Sequence, residues 1–469
     1  MATSSRKIWS CGLTIEHKHA LRILQVSASD IRGGAQRVAW NLFGKYREMG
    51  HQSRLAVGQK HSCDSDVMEL SYRPRGFSLG AIFAACEGGL GPAVGRVPGA
   101  WRLREWCREW KRGWRAPLER MLGREDFSFP ASRELLTITN NPPEILHGHN
   151  LHGGYFDLRI LPKLSRKFPV VLTLHDAWLL SGHCAHSFDC GRWQTGCGDC
   201  PDLSIYPSIE RDATAFNWHR KRKIFAESRL YVATPSHWLM RRVEGSILAP
   251  AIQEARVIPN GIDLGIFRPA KDRDAVRKQL CIDGASRVVV FAANGIRDNP
   301  FKDYSTFRAA IAKLDARWSG GPLLFLALGD EGPSETVGQA RLEFVPFNED
   351  ISDVAQYLSA ADVYVHPARA DTFPNAVIEA LACGTPVVAS AVGGIPEQIE
   401  SNTTGFLVAP GDGDDMATHI GLLLNNDDLR RKMGAAAETM ARRRFDLNDQ
   451  ARTYLAWYQS ILDSVICSR

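Results

Sequence analysis

Two hydrophobic periods alternate along this chain. From residue 21 onward, short apolar runs are followed by stretches whose apolar residues recur every three or four positions. The first run, residues 22–26 (Arg-Ile-Leu-Gln-Val), ends at Ser27 and leads into Asp30-Ile31-Arg32-Gly33-Gly34-Ala35. Val38, Ala39, Leu42, Tyr46 and Met49 then share one helical face, and Gly50 supplies a stop. A strand, a glycine turn and a helix predict the opening of a doubly wound α/β domain with the turn on its ligand side. Glycine there lets a phosphate or sugar approach the backbone closely; an ordinary tight turn is the competing reading. Further strands are predicted at residues 52–57, 145–147, 169–174, 231–234 and 256–258.

After a turn at residues 259–263 (Pro-Asn-Gly-Ile-Asp) the alternation resumes. Residues 287–292 are nearly all apolar, the pattern of a strand buried on both faces. A helix at 304–314 and strands at 323–328 and 343–345 follow. The pattern predicts an α/β protein with two parallel-sheet domains, at residues 21–255 and 256–445. A last amphipathic helix is expected from about 447 to 466, and residues 1–20 read as a disordered tail.

The stretch 363–390 (VYVHPARADTFPNAVIEALACGTPVVAS in part) concentrates the chemistry. An apolar run ends at His366-Pro367, a loop carries Asp371, Pro374 opens a predicted helix bearing Glu379, and Gly384-Thr385-Pro386 turns the chain into another strand. Free N–H groups at such a helix start suit an anion. Two carboxylates eight residues apart beside that site suit the hydroxyls of a sugar or ribose; helix-capping acids are the plainer alternative.

Asp371-x7-Glu379 followed by Ala-Cys-Gly-Thr-Pro-Val-Val resembles the Glu-x7-Glu element of the retaining glycosyltransferases of the group-4 family (glycosyl transferases group 1). The resemblance runs over about residues 21 to 465. It implies the GT-B fold: two Rossmann-like domains facing a central cleft, hinged near residues 259–263. The final helix would cross back, so that residues 446–469 complete the first domain. It implies that Asp371, one methylene shorter than the usual Glu, contacts the donor sugar, with the backbone of Thr372, Phe373, Pro374 and Asn375. Glu379 would hold the nucleotide ribose, and Gly33 and Gly34 would approach from the facing domain. Lys302 corresponds to the lysine that neutralises the leaving diphosphate. Arg297 is the nearest candidate for an accompanying arginine, at an unusual distance, and Asp303 replaces a glycine. His175 matches a histidine near the reacting carbon, and His149, Asn150 and Asp176 fall on the acceptor side. The implied donor is a UDP-, GDP- or ADP-sugar and the implied acceptor a glycan or lipid-linked glycan. No catalytic metal is expected. A sugar-nucleotide epimerase, a phosphorylase or a catalytically silent scaffold on the same fold remain alternatives.

Composition adds bounds. The 469 residues, 44% hydrophobic and 23% charged, are those of a globular protein with room for two or three domains. No run of eighteen apolar residues predicts a membrane span, and the first twenty residues lack the apolar core of a secretory signal. With eleven mostly scattered cysteines, these features place the chain in the cytoplasm. Four cysteines do cluster: Cys184, Cys190, Cys197 and Cys200, in a loop at 183–201, have spacings that suit a structural zinc. An iron–sulfur cluster or unbound thiols are the alternatives. The neighbourhood resembles the branch of the family acting in surface polysaccharide synthesis (exopolysaccharide, colanic-acid-like or lipopolysaccharide). Within an insertion at 86–130, residues 96–124 hold nine Lys or Arg against three Glu, with Leu103, Trp106, Cys107, Trp110 and Trp114 at helical spacing and Pro117 expected to end or kink that helix. A basic, tryptophan-rich helix suits the inner membrane surface. A helix packed on its own domain is the other reading, and no nucleic-acid motif accompanies it.

Overall fold

A computed structural model describes residues 19–70, 79–91, 97, 99–110, 115–138, 141–348 and 350–467. Most of the expected tail 1–20, with Arg96, Lys111, Arg112 and Trp114, therefore falls outside the described residues.

The chain forms two seven-stranded sheets. The first contains β1 (Arg22–Ser29), β2 (Gln52–Gln59), β3 (Val67–Glu69), β4 (Ile145–His149), β5 (Val170–Thr173), β6 (Leu230–Thr234) and β7 (Ile252–Val257). Their order is β3-β2-β1-β4-β5-β6-β7, with every pairing parallel. The second contains β8 (Arg287–Ala292), β9 (Leu323–Leu328), β10 (Glu335–Val337), β11 (Ala340–Val345), β12 (Val363–His366), β13 (Val387–Ser390) and β14 (Gly405–Val408). Its order is β10-β11-β9-β8-β12-β13-β14, parallel except for the β10–β11 edge. In each sheet the winding reverses beside the first strand, between β1 and β4 and between β8 and β12. Such switch points open a crevice at the carboxyl ends of the strands. Two Rossmann-like domains of the GT-B type result.

The central strands are buried on both faces because helices cover both. Apolar clusters accordingly flank each sheet: Leu24, Val26, Leu146 and Leu172 lie in one, Ile23, Val38 and Val171 in another. Strands β3, β10 and β14 and the helices Ile351–Ala360, Gly413–Asn425 and Asp427–Arg444 had no separate sequence reading. The three strands are short edge pieces with weak alternation. Pro117 does not end a helix. It is the third residue of the helix Arg115–Met121, where a first-turn proline loses no intrahelical bond.

The last helix, Leu447–Cys467, packs on the first sheet. Ala451, Tyr454, Leu455, Trp457, Tyr458 and Ile461 are buried with Leu21, Ile23, Tyr46 and Val171. Its tyrosines find buried partners: Tyr458 OH lies 2.6 Å from His147 Nδ1 and 3.1 Å from Tyr46 OH, and Tyr454 OH lies 2.8 Å from Thr173 Oγ1. Burial pushes His147 down to about 3, so the ring stays neutral and both nitrogens serve this network. Where the chain first passes to the second sheet it touches the point of return. Ile262 bridges to Asp446, and a Cβ on Gly261 would stand 2.6 Å from the Leu447 Cα. Leu455→Ala is expected to cost about 2–5 kcal/mol, a buried leucine deletion with little room to collapse. Denaturant unfolding measures it, and unchanged stability would show that this helix is not docked on the first sheet.

Candidate functional site

The two switch points face each other across a cleft of about 930 Å³. Its first wall comes from the loops after β1, β4 and β5: Gly33, Gly34, Arg37, Asn150, His152, His175 and Asp176. Its second comes from the loops after β8, β11 and β12: Asn294, Lys302, Phe347, Asp371, Thr372, Asn375 and Glu379.

On the first wall Gly33 has φ +103°, a conformation that a side chain rarely adopts, and it opens the helix Gly34–Glu48. Space around the Gly34 Cα is open. One turn into the helix, Arg37 reaches the cleft and bears electrostatically on Glu379 across it. Arg37 is a cleft cation that the sequence reading did not find; its place one turn after Gly33-Gly34 was the available signal.

His175 follows β5 and lines the cleft. Burial pushes it down to about 4, although Asp176 pulls the other way, so it is neutral near pH 7. Its Nε2 stands 3.1 Å from His149 Nδ1, and His149 Nε2 stands 3.0 Å from Gln25 Oε1. With Gln25 Oε1 accepting, the His149 Nδ1 accepts in turn from His175 Nε2–H. His149 was expected on the acceptor side of the cleft, but it is fully buried and outside the lining. The inward face of β4 explains this: His149 supports His175 from behind. Asn150 and Asp176 do line the cleft. Asp176 accepts from His152 Nε2 at 2.7 Å and from Trp178 N at 2.9 Å. Burial works against its charge, but these partners hold it below the usual carboxylate range.

On the second wall, β12 delivers His366 and the loop behind it delivers Asp371. Burial opposes ionisation of Asp371, yet the Lys302 ammonium and His366 hold it well below the ordinary range. Lys302 Nζ donates to Asp371 Oδ2, and His366 Nε2 lies 3.3 Å from the same oxygen. Tyr364 OH at 3.1 Å from His366 Nδ1 fixes that ring. Lys302 is brought here by an isolated pairing with Ala368, and the Asp303 that follows it caps the helix Tyr304–Asp315 through Thr306 N at 3.1 Å. Replacement of glycine by Asp303 thus serves a helix start.

Pro374 stands at the cap position of the helix Asn375–Ala382, and Asn375 begins it. Phe373 is largely buried and lines the cleft. Thr372 Oγ1 donates to the His175 carbonyl of the facing wall. Glu379, one turn in, has a carboxyl that burial pushes up to about 7, with Arg37 pulling it back. Arg297 is not in the cleft lining. Its guanidinium is turned away to Asp330, 3.4 Å from Oδ1, to the Glu331 carbonyl and over the Phe344 ring at 4.7 Å. The extra residues between Arg297 and Lys302 carry it out to the surface.

Beside the first wall, Cys184, Cys190, Cys197 and Cys200 line one small cavity of about 20 Å³, the space of a single water. Cys200 Sγ lies 3.4 Å from His183 Nε2, whose Nδ1 faces the Pro207 carbonyl at 3.0 Å. Burial raises the Cys184 thiol and takes Cys197 up to about 12. Among the described residues, no three His, Cys, Asp or Glu side chains stand at the spacing to hold a metal ion.

Comparison with known proteins agrees with this architecture. A putative colanic acid biosynthesis glycosyl transferase WcaC of Escherichia coli K12 is 28% identical over 54% of this chain and 62% of its own length. A D-inositol 3-phosphate glycosyltransferase of Segniliparus rotundus is 33% identical over 45% of this chain and 48% of its own. The chain thus matches about half to three-fifths of these relatives' lengths. Among solved structures, Anabaena Alr3699/HepE in complex with UDP and glucose superposes with a TM-score of 0.61 at 17% identity, covering 94% of this chain and 100% of that one. WaaG, a glycosyltransferase involved in lipopolysaccharide biosynthesis, gives 0.57 at 14% identity over 92% and 98%. The family model described as Glycosyltransferase Family 4 matches residues 32–265, and the one described as Glycosyl transferases group 1 matches residues 274–440. Between them they span most of the chain and both walls of the cleft, and the protein belongs to this family of GT-B glycosyltransferases.

Proposed function

We propose that this protein moves a sugar, with retention of anomeric configuration, from a nucleotide-sugar to a glycan or lipid-linked glycan of a bacterial surface polysaccharide. The reading places it on the cytoplasmic side of the inner membrane. One observation carries it: Lys302, Asp371 and Glu379 line one wall of a single cleft, and Gly33, Arg37 and His175 line the other.

In this reading Glu379 accepts hydrogen bonds from the ribose hydroxyls. Lys302, Arg37 and the Gly33 backbone receive the diphosphate, where charge grows as the nucleotide leaves. Asp371 and the N–H groups of Thr372, Phe373 and Asn375 hold the sugar. The acceptor enters beside Asn150, His152 and Asp176, with neutral His175 near the anomeric carbon. It attacks on the face the nucleotide leaves, and the departing phosphate takes its proton. No side-chain nucleophile and no metal is required. Lys302 links the steps: its bond to Asp371 is shared with the arriving phosphate, which frees carboxylate capacity for sugar hydroxyls. UDP carried by Anabaena HepE, and the polysaccharide role in the WcaC name, support the donor class and the pathway.

Asp371→Asn and Glu379→Gln are each expected to lower kcat/KM on the order of a hundredfold or more. The assay is acceptor-dependent nucleotide release, run with UDP-, GDP- and ADP-sugars. Full activity in both variants removes the assignment, and epimerised donor formed without acceptor replaces transfer by epimerisation.

Glu379 also makes a pH prediction. Its folded value, about 7, lies above the unfolded value of 4.5, so its contribution to stability is present below pH 4.5 and lost as pH rises through 7. Glu379→Gln is therefore expected to raise the melting temperature of the ligand-free protein more at pH 8 than at pH 5. An equal shift at both values rules out a buried, reluctantly ionised Glu379.

A structural zinc on Cys184, Cys190, Cys197 and Cys200 is a separate proposal, supported by their shared cavity and the Cys197-x2-Cys200 turn. It requires the four sulfurs to draw together and lose their protons as the ion binds. Elemental analysis is expected to find about one zinc per chain; metal-free protein of unaltered heat stability in chelator overturns it.

A further inference from the structure

Among the described residues, exposed large apolar side chains concentrate between positions 82 and 121: Ile82, Trp101, Leu103, Trp106, Leu118 and Met121. They project from three successive helices, Leu79–Leu90, Ala100–Trp110 and Arg115–Met121, which pack on one another between β3 and β4. Isolated exposed apolar residues need no explanation, but a contiguous segment of them marks a contact surface. The helix Ala100–Trp110 already has an inner face, where Ala100 and Cys107 are buried. Its tryptophans are not failed core residues: Trp101 is 57% exposed, and Trp106 rests edge-on against Phe83 at 5.2 Å while remaining 47% exposed.

The charge of this stretch of the sequence narrows the occupant. Residues 96–124 carry nine Lys or Arg and three Glu. Arg102 lies 5.4 Å over the Trp101 ring, so cation and ring are presented together. Glu119, one of the three acids, faces Arg220 at 3.9 Å. Indole rings at headgroup depth with cations against phosphates are what an anionic bilayer surface offers. A second copy of the chain fits poorly, because a two-fold contact would set this excess of positive charge against itself. No helix among the described residues is long and apolar enough to cross a membrane, so the contact is an interfacial one.

We infer that the helices at residues 79–121 form a docking surface for the face of an anionic lipid bilayer. The inference deepens the reading of the acceptor as lipid-linked, but its evidence is independent of the cleft.

The test uses the full chain with no substrate present. Co-sedimentation is measured with vesicles of phosphatidylcholine containing phosphatidylglycerol and with phosphatidylcholine alone. Binding to the anionic vesicles that weakens with added salt is expected, with little binding to the neutral ones. Trp101→Ser with Leu103→Ser, and separately Arg102→Glu, should each weaken it by about tenfold. Both changes lie on exposed positions, and an unaltered melting temperature serves as the check that the fold is intact. Absence of vesicle binding, or binding that the variants leave untouched, overturns the inference. So does a concentration-dependent dimer that Trp101→Ser with Leu103→Ser abolishes, which would put a second copy on this face. Failure of the transferase reading shows separately, as turnover absent on every donor while vesicle binding persists.

Discussion

The structure depends on keeping two buried parallel sheets opposed at their carboxyl ends. Helices occupy both faces of each sheet, so polar chemistry is confined to the loops at the strand ends, and half a site is useless without the other half. Two features of the chain path hold the halves together. The outward crossing at Gly261 lies against the return at Leu447 so closely that a Cβ has no room. Beyond it, the Leu447–Cys467 helix is fixed on the first sheet by apolar burial and by the bonds of Tyr454 and Tyr458 to Thr173 and His147. The same strand, β4, carries His147 to this helix and His149 to His175. Packing that secures the domain connection thereby also sets the ring at the cleft.

Within the cleft, the controlling quantity is how ionised groups share partners once water is scarce. Asp371 and Lys302 are both largely removed from solvent, and neither is tolerable alone. Their pairing is a resting arrangement rather than wasted binding capacity. Under the transferase reading proposed above, a diphosphate would share Lys302 with Asp371, and sugar hydroxyls would take up the carboxylate oxygens left over. Among the described residues, the cation that bears on Glu379 is Arg37 from the opposite wall, so its ionisation depends on how the two walls meet.

Much of this was legible in the sequence because strand–loop–helix units bring their own chemistry with them. The Gly33-Gly34 turn and the span from Asp371 to Glu379 each sit on a local pattern of apolar period and turn residues, and the structure puts both in the cleft. Long-range placement was less readable. Whether Arg297 or Arg37 faces the cleft depends on how the loop before Lys302 is routed past Asp330, which no local period encodes. His149 looked like a ligand-side residue since it ends a strand next to Asn150. The alternation of side chains along β4, set by its parallel neighbours, turns it inward instead. Pro117 was ambiguous for a similar reason: a proline reads alike at the end of one helix and in the first turn of the next.

Contacts across the cleft show how the two domains meet. Glu397 of the second domain accepts from His237 N and Trp238 N, each at 2.7 Å, at the start of the first domain's helix His237–Glu244. A carboxylate at a helix N-terminus is favourable but exchanges readily with water. Thr372 reaches the His175 carbonyl, Asn375 lies near the Gly34 carbonyl at 3.5 Å, and Phe188 stacks on Phe301 at 5.6 Å. Among the described residues these contacts are mostly polar, and the large apolar clusters lie within the domains. Polar contacts of this kind exchange readily with water, and Thr372 meets His175 directly across the cleft. Under the transferase reading proposed above, such contacts would exclude water during reaction and let a spent nucleotide leave afterwards.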